Sequence, residues 1–139
     1  MKYLFFLTSL LLFSSCSNTD DNTSSCNGAV CTFDFRTITV EIKDSSDNPV
    51  ALDVFKVTNV KTGDDLTLEI FENQWEIMRK NGSYPIFSDR YSNEFRNKTL
   101  KINFKGFIND KEVISSDFIV GADCCHVSLI EGENSITIN

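Results

Sequence analysis

The sequence predicts an all-β domain, an antiparallel β-sandwich of about seven to nine strands. Three observations lead there: period-2 alternation of β-branched and aromatic residues from Phe33 onward, turn chemistry between most of the alternating runs, and no convincing helical stripe. In residues 38–43, Ile38, Val40 and Ile42 fall on one face of a strand. Asp44, Asp47, Asn48 and Pro49 then make a turn, and residues 50–60 read as the second strand. Gly63 and its acidic neighbours punctuate before a third run at 66–71. Further strands are expected at 74–78, 84–88, 99–108, 112–120, 126–130 and 135–138, with one short turn of helix possible inside 71–79. In the 99–108 run, Leu100, Ile102 and Phe104 share a side.

Short strands at this spacing in a chain of this length fit two sheets sharing one core; an up-and-down barrel is the alternative. Residues 38–51, a strand followed by a turn at Asn48-Pro49 and a restart at Val50-Ala51, resemble the first hairpin of carboxypeptidase-regulatory-like and transthyretin-like domains. The resemblance implies an immunoglobulin-like or prealbumin-like sandwich. It ends after Ala51, where Leu52-Asp53-Val54 replaces the usual small residues. Domains of that kind are mostly non-catalytic, although a fold does not fix a function.

Ahead of the domain, Lys2, an apolar run to Phe13 and the small residues Ser14 and Ser15 make a secretory signal over residues 1–15. Its apolar run falls short of the roughly 20 residues that a spanning helix needs. Ser14-Ser15-Cys16, with Phe13 where leucine is usual, resembles the bacterial lipobox. That resemblance implies a lipid thioether on Cys16 and membrane attachment through it. Residues 16–31 read as a tether, because 17–25 contain no aliphatic or aromatic residue. Asp20-Asp21 resembles the export tag of surface lipoproteins in the Bacteroidota, which implies an outer-membrane protein facing the cell exterior.

Removal of the signal leaves 12 basic against 20 acidic residues, a net charge of −8. No basic cluster exists, so nucleic acid is not an expected partner and a polybasic membrane patch is excluded. Residues 32–139 suffice for one domain with its own core.

Beyond Cys16 stand four cysteines, Cys26, Cys31, Cys124 and Cys125. An even count in an exported chain predicts two disulfides. Neighbouring Cα atoms lie only ~3.8 Å apart, too close for an unstrained bridge between Cys124 and Cys125. Cross-pairing to Cys26 and Cys31 is therefore expected, in either of its two connectivities. It closes loops of more than 90 residues, which chain entropy values at roughly 4 to 5 kcal/mol at most.

Asp123-Cys124-Cys125-His126 is the one cluster suited to chemistry. In an extended segment Cys124 and His126 share a face, so a thiol-redox or metal-binding use of Cys124, Cys125 and His126 is the alternative to structural disulfides. No regular zinc spacing supports it, and the disulfide reading makes His126 a bystander. There is no G-x-S-x-G, phosphate loop or H-E-x-x-H to start a hydrolase or nucleotide reading, and no cofactor is expected. Asp44, Asp47 and Asn48 lack the glycine and distal glutamate of a calcium loop. The expected function is a non-enzymatic binding or structural module. Trp75, Tyr84, Phe87 and Tyr91 are the candidates for glycan or protein contact, against the simpler alternative that they fill the core.

Overall fold

The computed structural model describes residues 26–139. The signal segment, Cys16 and Asp20-Asp21 lie outside them. Among the described residues seven strands form two sheets: β1 (Thr37–Asp44), β3 (Ser83–Ser88) and β7 (Ser135–Ile138) in the order β3-β1-β7, and β2 (Val54–Asn59), β4 (Lys98–Ile108), β5 (Lys111–Ala122) and β6 (Val127–Glu131) in the order β2-β4-β5-β6. The four-stranded sheet is antiparallel throughout. In the smaller sheet β1 pairs antiparallel with β3 but parallel with β7.

The two sheets pack as a sandwich because each offers one apolar face, which alternation supplies. Val40 and Ile42 of β1 and Tyr84, Ile86 and Phe87 of β3 meet Phe55 and Val57 of β2, Ile102 and Phe104 of β4, and Phe118 and Val120 of β5. All are buried. Burying each large apolar side chain contributes about 1.5–3 kcal/mol. The β4–β5 hairpin turns on Asn109 and Asp110, both with positive φ (51° and 60°), the backbone that a tight two-residue hairpin requires.

The first hairpin is shorter than the sequence suggests. Asp44 organises the turn by accepting from the Ser46 and Asn48 amides, but only the single bridge Lys43 to Pro49 follows. Residues 50–53 then cross to the other sheet, so β2 begins at Val54. Tyr84 explains why no strand starts earlier: its hydroxyl accepts from the Leu52 amide (2.7 Å) and donates to the Val50 carbonyl (2.8 Å), taking the groups a neighbouring strand would use. Gly106 makes room for this crossing, since a Cβ there would sit 2.7 Å from Leu52 and Ile114 side-chain atoms. Tyr84→Phe keeps the ring but orphans the Leu52 amide. A loss of roughly 1–3 kcal/mol in a denaturant titration is the expected result.

Two expected strands are absent. The run at 66–71 leaves the sheet after Leu66, because Asp65 accepts from the Thr67 amide (2.9 Å) and bends the chain. Thr67 then caps the Val57 amide with its hydroxyl (2.9 Å). The expected strand at 74–78 is instead part of α1 (Glu72–Asn81), a ten-residue helix rather than one short turn. Trp75 and Met78, three apart, turn toward the core while Arg79 pairs with Asp53 at 3.3 Å. Gly82 ends the helix in the left-handed region (φ 62°), donating to the Met78 carbonyl. A Cβ at that position would lie 2.5 Å from the Ile42 carbonyl oxygen, so glycine also lets α1 run close to β1.

Candidate functional site

Asp123 shapes the segment between β5 and β6. One of its carboxylate oxygens accepts from the Cys125 amide (2.7 Å) and the His126 amide (2.8 Å), while its own amide donates to the His126 carbonyl (3.0 Å). These hydrogen bonds, led by that from His126, hold its carboxyl below the ordinary range. The resulting turn presents adjacent cysteines to two different partners. Cys26 bonds Cys124 and Cys31 bonds Cys125. The chain ahead of β1 is thereby stapled to the β5–β6 turn, so residues 26–31 belong to the folded unit rather than to a free tether.

Both sulfurs at 124 and 125 are held in disulfides, so neither is a free thiol in this structure. Among the described residues no group of three or more His, Cys, Asp and Glu side chains is placed around a common metal position.

His126 is not a bystander. Its ring is buried, with Nδ1 2.7 Å from Asp89 Oδ2 and Nε2 2.9 Å from Thr32 Oγ1. With the ring proton on Nδ1, His126 donates to the carboxylate and accepts the threonine hydroxyl. Asp89 also accepts from the amides of Arg36 and Val127, each at 2.8 Å. Burial opposes its ionisation, but the hydrogen bonds from Arg36, His126 and Val127 outweigh it and keep the carboxyl below its ordinary value. Carboxylate, imidazole and hydroxyl stand in the order of a hydrolytic relay. Thr32 itself is not among the residues that line the groove described next. What the node does is brace: it ties the stapled segment, the turn after β3 and the start of β6 to one carboxylate.

That brace frames a groove of about 520 Å³ over the outer side of β1 and β3, walled by α1 and the loop before it. Its apolar lining comes from Phe35, Leu68, Ile70, Phe71, Ile77, Met78 and Pro85. Phe35, Phe71 and Ile77 are 68%, 69% and 60% exposed, unusual for residues of their size grouped together. Phe35 is fixed between the Cys31 staple and the Arg36 amide on Asp89. Arg90 follows Asp89 in the 3-10 turn Asp89–Tyr91, and it and Glu69 also line the groove.

The four aromatic candidates take other places. Tyr84 and Phe87 are fully buried and present no surface to a ligand, which corrects that expectation. Tyr91 stacks on Phe87 with ring centroids 5.3 Å apart and donates to the Leu66 carbonyl (3.2 Å). Trp75 stacks on Phe55 at 5.7 Å and lines a second hollow of about 240 Å³ on the far side of the 67–70 loop. The groove residues Phe35, Phe71, Ile77 and Arg90 carry a weaker sequence signal. Phe35 and Phe33 are the aromatics of the strand-free approach to β1, and of the two only Phe35 lines the groove.

Comparison of the chain with protein-family models, curated proteins and solved structures finds no match.

Proposed function

We propose that the protein is an outer-membrane lipoprotein, anchored through Cys16 and facing the cell exterior, whose β-sandwich is a non-enzymatic binding module. The groove framed by Phe35, Phe71 and Ile77 carries this reading, because three large apolar side chains are held exposed around one concavity by a cross-linked frame. Its volume lies within the roughly 300–1,000 Å³ of small-ligand sites, and apolar walls with few polar groups are their usual character. Phenyl rings and aliphatic side chains suit the apolar groups of a protein or peptide better than the hydroxyls of a glycan. The anchor rests on Ser14-Ser15-Cys16 and the outward orientation on Asp20-Asp21.

Cys16→Ala tests the placement. The wild type is expected in the outer-membrane fraction and open to protease added to intact cells, and the variant is expected to lose membrane association almost completely, since one spacer of polar residues offers no second anchor. An unchanged membrane-bound variant would exclude the lipid reading. The binding half is tested through the groove itself, as set out next.

A further inference from the structure

The groove holds one cationic and one anionic side chain, Arg90 and Glu69, in an otherwise largely apolar setting. Among the described residues neither is in an ion pair, with each other or with any third group, although five Lys or Arg ion pairs form elsewhere on the domain. Two opposite charges lining one concavity without meeting leave both free to be matched by a ligand.

We infer, building on the binding-module reading, that the groove takes a short apolar peptide with free ends, its carboxylate on Arg90, its ammonium on Glu69 and its side chains against Phe35, Phe71 and Ile77. Guanidinium and carboxylate can meet through paired N–H donors, which makes arginine the better reader of a chain end. A fatty carboxylate could use Arg90 but would leave Glu69 unmatched. It would also approach against a net charge of −8. A zwitterion matches both groups and carries no net charge. Arg90 is placed for this by its neighbour, since Asp89 is locked to Arg36, His126 and Val127, and Ser88 accepts from the Arg90 amide (3.4 Å).

The test is calorimetric titration of the oxidised protein with the tripeptide Leu-Phe-Leu in four forms: free, C-amidated, N-acetylated and doubly capped. Free peptide is expected to bind best, each cap weakening it roughly three- to fivefold, the scale of one partly exposed charge contact. In Arg90→Gln amidation should cease to matter while acetylation still does; Glu69→Gln should show the converse. Ile77→Asp should weaken all four forms at least about tenfold. Equal binding of the four forms, with Ile77→Asp still damaging, would overturn the charge assignment and leave the groove reading standing. Absence of binding by every form would overturn both. Tighter binding of decanoate than of the free peptide, lost in Arg90→Gln but not in Glu69→Gln, would replace the zwitterion by an anionic amphiphile.

Discussion

Removing either disulfide alone is expected to cost about 2–3 kcal/mol, and removing both roughly 7 kcal/mol. The two bridges run side by side, with sequence separations of 98 and 94. Whichever remains still closes the long loop, so the lost one had closed only a small additional ring through residues 26–31 and 124–125. That ring is worth roughly 2.5 kcal/mol, against nearly 5 for the long loop. When both go, the long-loop entropy is lost too. A domain of this size has about 5–15 kcal/mol of total stability, so the fully reduced protein should be marginal. Denaturant titrations of Cys26→Ala with Cys124→Ala, of Cys31→Ala with Cys125→Ala, and of the fourfold variant give the comparison. Simple additivity of the two double variants would contradict the shared-loop argument.

The second large effect is expected at Asp89. Asp89→Ala leaves the Arg36 and Val127 amides and the His126 ring without their acceptor, all beside a side chain only 7% exposed. Each hydrogen bond to a charged group contributes about 1.5–3 kcal/mol, and solvent entering the gap recovers part, so a net loss of about 3–4 kcal/mol is expected. The charge also sets a pH dependence. The folded-state pKa of Asp89 lies below its ordinary value, so its stabilisation is fully present above the ordinary carboxylate range and is lost as pH falls through the folded value. Asp89→Asn should therefore flatten the acid limb of stability against pH. An acid limb as steep as the wild type's would assign the acid sensitivity to Asp44, Asp65, Asp117 and Asp123, whose carboxyls are also held low.

The sandwich and the cross-pairing of the cysteines were legible because alternation and cysteine parity are local or countable signals. The pairing of Cys26 with Cys124 and Cys31 with Cys125 needed the Asp123 turn, whose geometry no spacing reveals. α1 is legible only as one short turn within 71–79, since Phe71, Trp75 and Met78 form a short apolar stripe that alternation in 74–78 imitates. The termination signal at Gly82 was present in the sequence. His126 looked idle because its partners Asp89 and Thr32 lie 37 and 94 residues away. The aromatic candidates were chosen by residue type, but Tyr84 and Phe87 occupy inward positions on β3. Phe35 falls within the domain at 32–139 but in none of its expected strands, and no spacing shows that the staple makes it part of a wall.

The Cys26–Cys124 bond also decides how the domain responds to being pulled. Tension on the chain ahead of Cys26 passes through sulfur directly into Cys124, just beyond the end of β5, and so bypasses the segment that leads into β1. β1 is therefore never peeled from β3 or β7 by a tug on its own leading end. If Cys16 is held in a membrane while a partner occupies the groove, shear enters the four-stranded sheet at its β5–β6 corner. A load borne by a partner in the groove then runs from that corner through the packed sheets to the walls that carry Phe35 and Arg90, and not along the leading end of β1.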